Sequence, residues 1–324
     1  MKGIFEAGIG CDRALVIEDG LIVEAHLELP GLRVGDIWHT RVVSLSAGTG
    51  LTGLGASVHP MPPGATEGMM LAVEVVREPI DEPDRSRPAR LNALGVASGE
   101  AGRVRAGPTL SERLRARGMQ MHIQPPHGPD LLESAGWSET LEEARTGRVV
   151  FPGGELVCHR TAAFETIDVD GHLPPSELAL AAAPAVAAAI RRFDLTGTIV
   201  IDFPTLGSRA ARAATDAALE VTLPRPFERT AMNGFGLVQI IRPKLRLSLM
   251  DRMQGAPAFM AALALLRQAE RTPGAGTTTL AAPPAVASLI APHHLSELER
   301  RTGRPARVLP DLAGSSLGYV NVTA

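Results

Sequence analysis

Two stretches end a run of strand-forming residues on a carboxylate: Phe164-Glu165-Thr166-Ile167-Asp168-Val169-Asp170 and Thr198-Ile199-Val200-Ile201-Asp202-Phe203-Pro204. An open α/β sheet offers its strand ends to solvent, so acids from neighbouring ends can share one hard divalent cation. Asp168 and Asp202 are the candidate pair. Magnesium keeps several waters and takes one or two carboxylates plus phosphate oxygens, which suits phosphodiester hydrolysis. Spacing alone also allows these acids to cap helices or close turns, so the pair needs support from its surroundings.

Other chemical signals are weaker. Gly48-Thr49-Gly50-Leu51-Thr52-Gly53 has the G-x-G-x-x-G spacing of a dinucleotide loop. A helix should follow it, yet Pro60, Pro62 and Pro63 come next, and proline removes donors and clashes with the preceding turn. A barrel loop is the better reading, and a nicotinamide-dependent oxidoreductase is set aside. Cys158-His159 has no second Cys/His pair at a metal-ligand spacing, and adjacent strand residues point to opposite faces. A core cysteine beside a surface histidine is expected. His293-His294 has no partner motif.

The elements that must position the acids follow from periodicity. Asp19-Gly20 between Arg13–Glu18 and Leu21–His26 signals a β-hairpin. From Gly35 to about Ala93, short β-like runs broken by glycine and proline have the rhythm of a small barrel. Pro79–Pro108 reads as loop or linker. Helices are expected over Leu110–Arg117 and Trp137–Arg145, the second capped by Ser138. The middle of the chain alternates: a β-like Glu155–Val169, an alanine-rich helix Pro175–Phe193 interrupted near Pro184, a buried strand Thr198–Phe203, a helix Arg209–Glu220 and a strand near Leu237–Ile241. This is an α/β layer. The tail, with Ala258–Arg271, Pro283–Ile290, Leu295–Thr302 and β-like Val308 and Tyr319–Val322, is a small α/β unit.

The two acidic strands, followed by Met232-Asn233-Gly234-Phe235-Gly236-Leu237-Val238-Gln239-Ile240-Ile241-Arg242, resemble the catalytic core of the ribonuclease E/G family. The family's T-A-I-D-x-N strand, G-G-x-I-V-I-D-F strand and F-G-L-x-x-x-x-R segment are echoed in order by Thr166–Asp170, Gly197–Phe203 and Phe235–Arg242. Gly35–Val42 resembles the entry to the family's oligonucleotide-binding barrel, and Gly153–Val157 the strand that opens its nuclease subdomain.

The resemblance implies an α/β and β multi-subdomain fold. Its parts are a ribonuclease-H-like and OB-like N-terminal region, a deoxyribonuclease-I-like α/β catalytic core and a small α/β C-terminal domain. The corresponding segments are a hairpin of the ribonuclease-H-like part (1–36), the RNA-binding barrel (37–92), a linker with the helical remainder of the ribonuclease-H-like part (93–148), the catalytic core (149–252) and the C-terminal domain (253–324). It also implies a magnesium-dependent endoribonuclease, able to use manganese, that cleaves single-stranded RNA and leaves 5′-phosphate ends. Asp168 and Asp202 would be the metal ligands, and Asp170 a catalytic carboxylate where the family has asparagine. Arg209, Arg212 and Arg242 fall on family basic positions, and Lys244 and Arg246 extend the RNA-binding set. Thr205, Gly234 and Gln239 depart from the family's acid, base and glutamate. Those departures, with the lack of stacking aromatics in Gly48–Gly55, motivate the alternative of a catalytically degenerate RNA binder. The segment for a 5′-phosphate sensor is missing between Asn92 and Leu110. No C-P-x-C zinc link follows Leu249, so no structural zinc is expected and any homodimer forms without a zinc bridge.

Composition agrees. The chain has 324 residues, 45% hydrophobic and 21% charged, enough for two or three globular units. A net charge of −3 excludes a uniformly basic coat, but residues 225–252 carry six basic side chains against two acidic ones, the best candidate RNA track. Residues 77–117 carry nine arginines against six acids, in segments where solvated charge without a partner is common. Two cysteines without a Cys-x-x-Cys suit a reducing cytoplasm. No apolar run reaches the about 20 residues a membrane span needs, and no signal peptide is evident.

Overall fold

The computed structural model describes residues 1–46, 48–82, 85–311 and 318–323. They form a mixed α/β protein with two units: 1–30, 114–146 and 249–324 make one, and 31–113 with 147–248 make the other. No helix among the described residues is long and apolar enough to cross a membrane.

In the first unit, Lys2–Ala7, Asp12–Glu18 and Leu21–Glu28 form an antiparallel meander, with Gln120–Ile123 added parallel to Lys2–Ala7. The expected hairpin turns at Asp19 and Gly20, both at positive φ (49° and 80°), the two-residue turn that matches strand twist. Thr277–Ala282 lies between Ala306–Pro310 and Tyr319–Thr323. The helices Pro257–Arg271 and Pro292–Thr302 cover that sheet over a core that includes Leu265, Leu266, Leu280 and Leu298. Beneath Pro257–Arg271, Arg13 and Arg267 share the buried carboxylate of Glu6, and Arg267 also reaches Asp130.

The second unit opens with a closed five-strand barrel. Ile37–Ser46, Thr49–Thr52, Ser57–Val58, Arg90–Val96 and Met70–Arg77 pair in that order, and Met70–Arg77 returns to Ile37–Ser46. Val42, Val58, Leu71, Val73, Val75 and Leu91 fill it, inward positions that alternate as closure requires. The glycine-rich Gly48–Gly53 is a barrel hairpin, as its prolines foretold.

Four local expectations are corrected. Pro79–Pro108 is not mainly loop: it contains the barrel-closing strand Arg90–Val96, whose partners are distant in sequence. The Glu155–Val169 run is two strands, Gly154–Arg160 and Glu165–Gly171. The turn between them is held by the Thr161 hydroxyl, which accepts from the Phe164 N–H at 3.1 Å and donates to its carbonyl at 2.6 Å. The alanine-rich helix runs unbroken through Pro184, from Pro175 to Arg192, because Ala183, Val186 and Ile190 bury one face and offset the lost backbone bond. Ser138 is not a cap: the helix Trp137–Thr146 starts before it, with Thr140 N–H and hydroxyl both donating to the Gly136 carbonyl.

Candidate functional site

The sheet that carries the two acids has the order Arg148–Phe151, Gly154–Arg160, Glu165–Gly171, Gly197–Asp202, Leu237–Arg242, Glu228–Arg229. Its inward positions, Leu156, Cys158, Ile167, Val169, Ile199, Ile201, Val238 and Ile240, are buried. Helix Pro175–Arg192 packs against this sheet, and helix Arg209–Thr222 packs against Pro175–Arg192. The alternate residues therefore share the opposite face. Register places Arg148, Val157, Asp168, Asp202 and Leu237 in one row across five strands. Glu155 and Asp170 form the neighbouring row.

Asp168 and Asp202 are direct cross-strand partners on parallel strands, both exposed, Asp202 at the C-terminal end of its strand and Asp168 three residues before the end of Glu165–Gly171. Partial burial, then the charges of Asp170 and Asp202, push the Asp168 carboxyl above its ordinary value. Like charges held side by side by backbone register are a costly arrangement for a fold to keep. Oxygen donors in that arrangement suit a hard cation, which would relieve their repulsion. Asp170 joins them on the same face, two residues along. Among the described residues no group of three or more His, Cys, Asp or Glu is drawn together as a ready-made metal cage.

The segment after Asp202 is fastened to the helix that follows it. Arg212 donates from Nη1 to the Leu206 carbonyl at 2.7 Å, and Ser208 caps helix Arg209–Thr222 by accepting from Ala211 N–H at 3.0 Å. Arg209, the first residue of that helix, is exposed. The other predicted cations lie toward the far end of the sheet. Arg242 pairs with Gly197, and its side chain alternates with Val238 and Ile240 onto the inward side. There its Nε and Nη1 are buried without a hydrogen-bond partner. Burial lowers its pKa against the opposing pull of Asp194. The Lys244 stem lies over Gly197, where an added Cβ would meet Cδ at 3.2 Å. It lines a cavity of about 160 Å³ with Arg87, Arg160, Thr161, Glu165 and Thr196. Arg246 stands 3.8 Å from Glu78.

The basic segment 225–252 is thus not one continuous track. Arg225 is paired with Glu220, Arg229 with both Asp216 and Glu220, and Arg252 is buried in the other unit. Cys158 is core, as expected, and burial followed by the Glu165 charge pushes its thiol up to about 12, too high for a nucleophile; His159 beside it is exposed. Sequence reasoning missed Glu155, on the open face beside Asp170, and Asn233. The Asn233 side chain accepts from Phe235 N–H at 2.9 Å and Leu237 N–H at 3.1 Å. The Asn233-Gly234 pair was the available turn signal.

The open α/β layer thus aims two paired carboxylates at solvent, within the same unit as the small β-barrel. Residues 110–245 match the family model described as the ribonuclease E/G family, a match that supports membership of that family. The matched stretch contains both acidic strands and the Phe235–Arg242 segment. The match suggests a ribonuclease function, with RNA as substrate. A search of curated proteins returned no match.

Proposed function

We propose that the protein is a magnesium-dependent endoribonuclease that cuts single-stranded RNA and leaves 5′-phosphate ends. The observation that carries the proposal is the register pairing of Asp168 with Asp202 on the open face of the sheet. These two carboxylates would hold Mg²⁺, or Mn²⁺ in its place. The ion, when bound, supplies Lewis-acid polarisation of the phosphate and a hydroxide-like water at neutral pH. Asp170, two residues along on the same face, would orient the attacking water. Arg212 holds the loop beyond Asp202, while exposed Arg209 is available to a phosphate of the strand. Lys244, with Arg87 and Arg160 around the cavity near Thr196, offers positive charge to a more distant part of the RNA backbone. No side-chain nucleophile is needed.

In this reading the barrel is OB-like and guides RNA, residues 149–252 are the deoxyribonuclease-I-like core, 1–36 and 93–148 contribute the ribonuclease-H-like part, and 253–324 are the small C-terminal domain. The protein works in the cytoplasm, and any homodimer lacks a zinc bridge. The test is incubation with 5′-labelled single-stranded RNA, with Mg²⁺ or with EDTA. Metal-dependent fragments bearing 5′-phosphates are expected, and none from Asp202→Asn. A gel shift without fragments in Mg²⁺ or Mn²⁺ would overturn the assignment in favour of an RNA binder that does not cut.

A further inference from the structure

The Phe235 ring stands 76% exposed, in a chain with only 2 Trp, 1 Tyr and 8 Phe. Its backbone is anything but loose. Asn233 Oδ1 accepts from the N–H groups of Phe235 and Leu237, and the Asn233 N–H donates to the Leu237 carbonyl at 3.1 Å. The Phe203 N–H donates to the Gly236 carbonyl at 3.2 Å, and the Thr205 hydroxyl to the Phe235 carbonyl at 3.3 Å. Gly236 sits at φ 95°, and a Cβ there would lie 2.2 Å from the Phe203 carbonyl oxygen. The turn is thus clamped to the residues that immediately follow Asp202. Leu237, register partner of Asp202, continues the apolar surface onto the open sheet face and is itself exposed.

A ring that is held rigidly and left in water contributes little to the core, and burial of apolar area would be gained by turning it inward. What it does offer is a flat π-face beside the paired carboxylates, in a chain whose barrel loop Gly48–Gly55 carries no aromatic. Stacking of an unpaired base on such a face tolerates any base, since each has a π-surface.

We propose that Phe235 is a stacking platform for an unpaired nucleobase of the RNA strand whose phosphate lies at Asp168 and Asp202. It positions substrate without taking part in bond breaking. This rests on the ribonuclease reading above and adds the base-binding contact that fixes the strand at the site. Thr205, Asn233 and Gly236 serve to hold the platform still.

The test reads binding rather than cleavage. Fluorescein-labelled single-stranded RNA is titrated in EDTA at low salt with the wild type, Phe235→Ala and Phe235→Trp. A set of otherwise identical strands carries one abasic site at successive positions. Phe235→Ala should weaken intact RNA on the order of tenfold, and Phe235→Trp should preserve affinity. One abasic position should weaken the wild type to the same degree and cost Phe235→Ala nothing further. Tryptophan emission of Phe235→Trp should be quenched by intact RNA more than by that abasic strand. Equal affinities of the wild type and Phe235→Ala, or the same abasic penalty in both, would overturn the proposal. The thermal transition of Phe235→Ala, expected unchanged for an exposed ring, shows that the variant is folded. If the wild type fails to cut RNA in Mg²⁺ yet the abasic effect is found, the platform stands and the nuclease reading falls. Cleavage without any abasic effect gives the reverse.

Discussion

Asp202→Asn should make the protein more stable while it removes cleavage. Neighbouring strands lie about 4.8 Å apart, and Asp168 and Asp202 occupy facing register positions on them. Two unit charges at that distance repel by about 0.9 kcal/mol in water and by several times more at a lower effective dielectric. Both side chains are exposed, so the aqueous value applies, discounted for screening. A gain of somewhat under about 0.9 kcal/mol corresponds to at most about 2–4 °C in the melting of the unit that holds the pair. The pH dependence has a definite sign. Burial, then Asp170 and Asp202, raise the folded-state pKa of Asp168. Its contribution to wild-type stability is therefore fully present below about pH 3.9, the unfolded value, and lost as pH rises through the folded value. The advantage of the variant should be absent in acid, complete at neutral pH, and strongly reduced in 1 M salt, where the Debye length falls to about 3 Å. Thermal scans without divalent metal, at low and high salt, test this. Added Mg²⁺ should stabilise the wild type and leave Asp202→Asn nearly unmoved. A variant less stable than the wild type at low salt, or a gain indifferent to salt, would refute the facing-carboxylate geometry.

Other substitutions probe the supports. Gly236→Ala forces a side chain into a positive-φ position against the Phe203 carbonyl and should cost about 2 kcal/mol or more in urea unfolding. Arg267→Met leaves the buried Glu6 carboxylate with less compensation, and a loss of about 3–5 kcal/mol by denaturant titration is expected. Burial opposes ionisation of Glu24, but hydrogen bonds from His26 and Arg117 prevail and hold its pKa at about 2. That depressed value contributes stability above about pH 4.5 that is lost as pH falls toward 2. Arg117→Met should therefore cost about 1–3 kcal/mol at pH 7, with the difference from wild type shrinking across that acid range in pH-dependent unfolding.

Local signals were readable where the chain's nearest neighbours decide the outcome. Asp19-Gly20 turns because its φ values are what those residues tolerate, and the β-branched runs ending in Asp168 and Asp202 are strands because alternate residues must fill one buried face. What stayed hidden depends on partners far away. Arg90–Val96 is ordinary in composition, and only its pairing with the two-residue Ser57–Val58 and with Met70–Arg77 makes it the barrel's closing strand. Arg225 and Arg229 count as free charge in a tally, yet Asp216 and Glu220, one to four turns of chain earlier, take them up. The inward aim of Arg242 is the parity of a strand, visible once its register to Gly197 is known.

The same parity explains how the acids are kept so close. Ile167 and Ile201, neighbours of Asp168 and Asp202 along their strands, are fully buried on the opposite side of the sheet, so neither strand can slip by one residue without turning its core face to water. Several core side chains, each contributing about 1.5–3 kcal/mol on burial, outweigh a carboxylate repulsion of about 1 kcal/mol. The beginning of the next loop is pinned by Arg212 and by the Asn233–Gly236 turn. The repulsion therefore has no route of relief through backbone movement, and protonation of Asp168 or a counter-ion from solvent would relieve it. If the pair takes a divalent cation as proposed, added Mg²⁺ should raise the stability of the wild type but not of Asp202→Asn, whether or not RNA is present.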